Sequence, residues 1–253
     1  MTANWTALDR ELVAWARAGL TLPLWWRDDD AIEPTLALGQ LADLAQRVGL
    51  PVHLAVIPTF AQNTLRDVVD GKNLIPVVHG WSHQNHAADG EKKAEYPTLR
   101  PLAHMTSEAA NSLLHLSNLF GDTLCPMFVP PWNRVSPGLI AELPKLGYTI
   151  LSTFTPRTQP DAAAGLRQIN THLDPIAWHA GKSLIDPDAL IAQVAQHLAD
   201  RRTGLCDADE PYGILTHHLV HDPAIWAFIE QLILRLMQGP AYAWTSQQQG
   251  LLP

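Results

Sequence analysis

Short apolar runs alternate with helical segments along this chain, and this alternation limits the folds open to it. The runs that read as strands are 22–26, 51–57, 73–78, 126–129, 148–153 and 212–216. Segments with helical periodicity lie before, between and after them, at about 7–18, 34–49, 106–119, 136–147, 186–201 and 223–237. The pattern predicts a parallel sheet with crossover helices. A length of 253 residues suits one α/β barrel.

Polar side chains follow the ends of four predicted strands. They are Asp28, Asp29 and Asp30, then His79 and His83, then Asn133 and Arg134, then His217 and His218. The carboxyl ends of parallel strands meet at the edge where active sites form in such folds. We therefore expect these residues to converge on one site.

Two histidines four residues apart, His79 and His83, suggest a metal site when they are combined with the upstream aspartates. Imidazole and carboxylate ligands suit zinc, iron, manganese or cobalt better than calcium or magnesium. We expect a divalent cation, with zinc first and iron, cobalt or manganese as alternatives. His86 is either a further ligand, a substrate contact or an ordinary loop histidine.

The order of these motifs resembles the polysaccharide deacetylase family (carbohydrate esterase family 4, the NodB homology domain). Asp-Asp, His-x-x-x-His, Pro-Pro-aromatic and Leu-x-His follow one another between residues 22 and 222. The resemblance implies a distorted (β/α)₇ barrel. It also implies that an Asp-Asp pair supplies a general base and a metal ligand.

Carried over residue by residue, the resemblance makes Asp29 the base and Asp30 a metal ligand together with His79 and His83. A shift of one residue, with Asp28 as base and Asp29 as ligand, stays open. The segment Leu215-Thr216-His217 implies that His217 is the catalytic acid. The expected substrate contacts are Trp81, His86, Pro131, Trp132 and Asn133.

The sequence departs from the family pattern at two positions. Gly80 stands where a hydroxyl residue is usual, and Val129 replaces the arginine that normally orients the catalytic aspartate. We expect Arg134 to take over the arginine's role, with Arg27 as the alternative. The segment 174–178 loosely resembles the family's fourth motif, in which an aspartate tunes the catalytic histidine, although a turn is an equal reading.

The expected function is metal-dependent hydrolysis of a C–N amide bond other than a peptide bond. The first candidate is deacetylation of an N-acetylated sugar or related amine by a metal-activated water, with a small molecule or oligosaccharide as substrate. The alternatives are a catalytically silent carbohydrate-binding protein and a cyclic-amide hydrolase on the same scaffold. A magnesium phosphatase using the acidic triplet would leave His79 and His83 without a role.

Composition narrows the other possibilities. A net charge of −8 without a basic run argues against nucleic-acid binding, and two cysteines provide no disulfide framework. With no secretion signal or membrane-spanning apolar stretch, we expect a cytoplasmic protein without a membrane partner. We predict one domain over 1–253, with an N-terminal helix in 1–20, a catalytic core in 21–222 and a C-terminal helix and tail in 223–253. The oligomeric state stays open.

Overall fold

The fold is taken from a computed structural model, which describes residues 3–247. Its helices are α1 (Thr6–Arg17), α2 (Leu36–Val48), α3 (Leu102–Phe120), α4 (Pro137–Glu142), α5 (Pro187–Arg202) and α6 (Pro223–Met237). Its strands are β1 (Leu22–Ala31), β2 (Val52–Val56), β3 (Leu74–His79), β4 (Met127–Val129), β5 (Ile150–Leu151), β6 (Asp161–Ala163), β7 (Leu166–Gln168), β8 (Tyr212–Thr216) and β9 (Ala241–Ala243).

Seven parallel strands form a ring in the order β8-β1-β2-β3-β4-β5-β7. The ring closes where the chain after β7 reaches β8. There the amide of His172 donates to the carbonyl of Gly213 at 2.7 Å, and Leu215 donates to Leu173 at 2.8 Å. Because the closing segment is not a regular strand, the barrel is distorted. The predicted distorted (β/α)₇ barrel is confirmed.

The interior of the barrel has an apolar floor beneath its polar carboxyl-end edge. Along β1, side chains alternate between the two faces of the sheet, so Trp25, Arg27 and Asp29 share the inner face. One apolar cluster fills the interior with residues from several strands: Trp25, Ala55, Ile75, Val77, Cys125, Met127, Val129, Ile150, Ile169 and Trp244. The larger cluster packs the helices against the outside of the sheet. Arg27 and Asp29 therefore lie above a closely packed apolar layer.

Most predicted elements are present, with informative differences. The predicted strand at 212–216 and helix at 223–237 are β8 and α6. Strand β1 was expected to end at Trp26, but it continues to Ala31 because the acids find buried partners. The predicted loop after β5 contains β6, which forms an antiparallel hairpin with β7. The predicted tail extends over 248–253, which lie outside the described residues.

Within residues 3–247, no helix is both long and apolar enough to cross a membrane.

Closure of the barrel depends on the missing side chain at Gly213. A Cβ there would overlap the indole nitrogen of Trp25 and would lie 2.6 Å from the carbonyl oxygen of Asn170. The same indole nitrogen donates to that carbonyl at 3.1 Å. We expect Gly213→Ala to lower the free energy of unfolding in urea by about 2–3 kcal/mol, because neighbouring backbone must move.

The matched control is Gly39→Ala in α2, where an added Cβ meets nothing within 4 Å. That substitution should stabilise the protein by about 0.5–1 kcal/mol, because alanine favours helix. Equal effects of the two substitutions would contradict this account of closure.

Candidate active site

Strand β1 carries four consecutive charged residues, 27–30, and each finds a partner. The guanidinium of Arg27 is fully buried and grips the carboxylate of Asp29 with two hydrogen bonds. Arg27 Nε lies 2.8 Å from Asp29 Oδ1, and one terminal nitrogen lies 3.0 Å from Oδ2. A bidentate pair of this kind fixes the plane of the carboxylate as well as its position.

The same guanidinium crosses the barrel to the β4 and β5 side. It donates to Asn133 Oδ1 at 2.7 Å and to Ser152 Oγ at 2.8 Å. Val129 is fully buried in the apolar cluster of the barrel interior. Arg27 therefore holds Asp29 from β1 itself.

The structure does not bring Arg134, which was expected to support Asp29, to that carboxylate. The side chain of Arg134 is exposed and donates to the backbone carbonyl of Lys93 at 2.7 Å. It follows the short 3₁₀ turn at Pro131–Asn133 and joins the long loop after β3 instead. Arg27, the alternative considered for this role, makes the contact.

Asp30, His79 and His83 come together at the carboxyl end of the barrel. Their possible ligand atoms all lie within 4.8 Å of one another. Asp30 Oδ1 is 3.2 Å from His79 Nε2 and 3.3 Å from His83 Nε2. Because ligand atoms about 2.1 Å from a tetrahedrally coordinated ion lie about 3.4 Å apart, these two distances suit a small divalent cation.

The backbone and the hydrogen bonds around this triad orient its three side chains toward one another. His79 Nδ1 lies 3.0 Å from the carbonyl oxygen of Val129, which leaves Nε2 to face Asp30. Asp30 (φ +74°) and His83 (φ +55°) both adopt left-handed backbone, which non-glycine residues rarely do. Such strain is typical of positions where function dictates the geometry.

The electrostatics of the triad favour a positive charge at its centre. Burial alone would raise the pKa of the Asp30 carboxyl, but the hydrogen bond from His79 and the nearby imidazoles hold that pKa well below its usual value. Burial opposes protonation of His79 as well, yet the carboxylates of Asp29 and Asp30 raise the pKa of His79. Burial and the neighbouring His79 lower the pKa of His83. A divalent cation bound between Asp30, His79 and His83 would replace the proton that the carboxylate and the imidazoles otherwise hold between them.

Asp28 belongs to a separate buried network. Its carboxylate accepts from Thr216 Oγ1 at 2.6 Å and from the amide of His218 at 3.0 Å, and it pairs with His218 Nδ1. These contacts occupy both oxygens of Asp28 and direct them away from the triad. The geometry therefore favours the register in which Asp29 and Asp30 form the Asp-Asp pair. His218 is itself buried beside Asp28.

His217 lies at the end of β8, near a tryptophan and an aspartate from another loop. Its ring contacts Trp178 edge to face, with centroids 4.7 Å apart. Trp178 Nε1 donates to Asp174 Oδ2 at 2.8 Å. Burial raises the pKa of the Asp174 carboxyl. His217 Nδ1 is buried and has no hydrogen-bond partner within residues 3–247, as polar atoms at functional sites sometimes do.

The five expected substrate contacts differ in their surroundings. The ring of Trp132 lies 4.4 Å from that of His83, and Trp132 and Asn133 have left-handed backbone. Pro131 is buried, Trp81 is half-buried and His86 is exposed. Among residues 3–247, His86 is not part of the group that could hold a metal.

The triad predicts metal binding that depends on particular histidines. We expect the purified protein, stripped and then dialysed against zinc or cobalt, to retain one ion per chain by elemental analysis. His79→Ala should abolish retention, because it removes a ligand atom and leaves only two. His86→Ala should leave retention unchanged. Unaltered metal content in His79→Ala would contradict this assignment.

Comparisons with known proteins give no sequence match. No family model matches the chain, and no curated protein matches it. Solved structures do match. A Mycobacterium smegmatis protein described as a polysaccharide deacetylase superposes with a TM-score of 0.64 at 14% identity, over 92% of each chain.

Two further structures extend this finding. A family 4 carbohydrate esterase from Streptomyces lividans, in complex with acetate, has a TM-score of 0.53 at 17% identity, over 90% of this chain and 95% of its own. A mutant of BA3943, described as a pseudoenzyme of the same family, has a TM-score of 0.53 at 11% identity, over 90% and 67%. The chain therefore has the fold of the polysaccharide deacetylases of carbohydrate esterase family 4, the family that its motifs resemble.

Proposed function

We propose that this protein is a metal-dependent hydrolase that removes an acetyl group from an N-acetylated sugar or a related amine. The observation that carries the proposal is the arrangement of Asp30, His79 and His83 beside a carboxylate that a buried arginine holds in place. A divalent cation bound there would acidify a water molecule and polarise a carbonyl oxygen. The other steps rest on side chains of this chain.

Asp29 is the proposed general base. Its carboxylate adjoins the triad in sequence, and Arg27 holds both of its oxygens in one plane. A fixed carboxylate can accept the proton that the attacking water loses. Because Arg27 is fully buried and its donors are shared among Asp29, Asn133 and Ser152, the orientation does not depend on solvent.

His217 is the proposed general acid. Protonated, its imidazole would deliver a proton to the departing amine nitrogen. Trp178 restricts the ring from one side, and a hydrogen bond to Asp174 holds the indole of Trp178 in place. The acid and the base come from β8 and β1, which are adjacent in the ring.

The aromatic side chains around the triad suit a sugar ring. Trp178 is 39% exposed, and Trp81 and Trp132 are half-buried. Partly exposed indoles offer flat apolar faces together with a polar edge. We assign substrate contact to them, and to Asn133, Pro131 and His86 at the same edge.

A catalytically silent carbohydrate-binding protein is the alternative. Its main support is Val129, which stands where the resembled family has an arginine. The contact between Arg27 and Asp29 supplies that guanidinium from another strand, so the observation no longer favours silence.

The direct test incubates the zinc- or cobalt-loaded protein with a panel of N-acetylated sugars, chitooligosaccharides and cyclic amides, and measures released acetate or amine. We expect acetate release that a chelator removes and added metal restores. Asp29→Asn should lower kcat by about 10²–10⁴-fold, because a general base contributes that much. Sugar binding by the loaded protein, with no turnover across the panel, would favour the silent alternative.

The same substitution at two arginines tests which of them supports Asp29, the proposed base. Arg27→Lys keeps the charge but loses the bidentate grip, so we expect kcat to fall about 10–100-fold with little change in KM. Arg134→Lys changes the same residue type on the exposed loop and should leave kcat unchanged. If Arg134→Lys lowers kcat and Arg27→Lys does not, the assignment of Arg27 is wrong.

A further inference from the structure

Glu95 is a buried carboxylate without a cationic partner. It lies in the long loop between β3 and α3 and is fully buried. Among residues 3–247, no lysine, arginine or histidine forms an ion pair with it; the guanidinium of Arg100 pairs with Glu108 instead. Burying a charge in this way is costly unless hydrogen bonds compensate it.

The compensating donors all come from the turn that carries the second metal-ligand histidine. Glu95 Oε2 accepts from the amide of Trp81 at 3.0 Å. Glu95 Oε1 accepts from the amide and hydroxyl of Ser82, at 2.8 and 3.1 Å, and more weakly from the amide of Gln84 at 3.4 Å. These donors belong to residues on both sides of His83. The carboxylate therefore organises the backbone from which His83 projects.

Gly80 explains how the carboxylate gains access to this turn. Its φ is +57°, and a Cβ there would overlap Glu95 Oε2 and lie 2.5 Å from Pro131 Cδ. The hydroxyl residue that the resembled family has at this position would not fit beside Glu95. The departure at Gly80 and the buried Glu95 are thus two parts of one local arrangement.

The other hydrogen bonds to the turn reach residues 80 and 81. The carbonyl of Trp81 accepts from the amide and the hydroxyl of Thr59, at 3.1 and 3.0 Å. The amide of Gly80 donates a hydrogen bond to the carbonyl of Val129 at 3.0 Å, and the carbonyl of Gly80 accepts one from the hydroxyl of Ser112 at 2.7 Å. His83 itself adopts left-handed backbone, with φ +55°. Since this backbone is unfavourable for histidine, the turn needs an anchor close to residue 83.

We propose that Glu95 is a positioning residue of the metal centre, which holds the turn 80–84 so that His83 faces Asp30 and His79. This inference rests on the metal site of the proposed function. It assigns to Glu95 no contact with metal or substrate. Its effect reaches the metal through the backbone of the turn.

The test measures zinc affinity of the folded protein by competition with a chromogenic chelator, together with thermal unfolding of the metal-free protein. In Glu95→Gln, the amide group places a donor against the amide of Trp81 or Ser82. We expect zinc affinity to fall about 10–100-fold, as for other residues that orient metal ligands. The visible spectrum of the cobalt-loaded variant should change as well, because the geometry around His83 changes.

The matched control is Glu210→Gln. Glu210 is also fully buried and accepts from two backbone amides, those of Arg157 and Asn170, at 3.0 and 2.9 Å, although it pairs with His172 and Arg201 as well. Glu210→Gln should lower the unfolding temperature but leave the zinc affinity within about twofold of the wild-type value, because Glu210 does not touch the turn 80–84. If Glu95→Gln does not fold, Ser82→Ala, which removes one donor, decides the matter through the same affinity measurement.

The inference is overturned if Glu95→Gln binds zinc as tightly as the wild type, whatever happens to its stability. If Glu95→Gln does not fold, unchanged zinc affinity in Ser82→Ala overturns it instead. This failure differs from failure of the proposed function. If the wild-type protein binds no zinc, both fall together. If the wild type binds zinc and releases acetate while the Glu95 variant binds equally well, only the positioning role is lost.

Discussion

The bidentate pair between Arg27 and Asp29 is the interaction on which the site depends. Strand β1 places one guanidinium and three carboxylates in four consecutive residues. Arg27, Asp28 and Asp29 are buried and Asp30 is half-buried, and an unpaired charge at a buried position would cost several kcal/mol. Because side chains alternate between the two faces of a strand, these charged groups meet different partners. Arg27 neutralises Asp29 on the inner face, Asp28 pairs with His218 elsewhere, and Asp30 turns through left-handed backbone toward two histidines. The three neighbouring acids thus have three separate environments.

The pairing also accounts for the surrounding departures from the resembled family. The guanidinium of Arg27 reaches Asp29 from β1, while the position where the resembled family has its arginine is a buried valine, Val129. Likewise Gly80 replaces a hydroxyl residue, while Glu95 fills the vacated volume and accepts hydrogen bonds from the turn. In both cases a group from a different segment stands in for the usual one. Divergence in sequence is therefore compatible with an intact set of chemical groups.

Much of the fold and part of the candidate site could be predicted from the sequence. Caps such as Asp222 mark helix starts, and buried runs such as β8 leave little choice of structure. The contact of Arg27 with Asp29 was also within reach, since residues two apart on a strand share a face. The role of Glu95 was not, because an acid in a polar loop carries no local signal of burial. The β6–β7 hairpin is too short and polar to show strand periodicity.

The central claim is that Asp29 serves as the general base and Asp30 as a metal ligand, while Asp28 takes neither role. A crystal structure of the zinc-loaded protein tests it most directly. The account predicts that Asp30, His79 and His83 coordinate the ion, while Asp29 stays on Arg27 and Asp28 stays on His218. Coordination of zinc by Asp28 or Asp29, or release of Asp29 from Arg27, would contradict it.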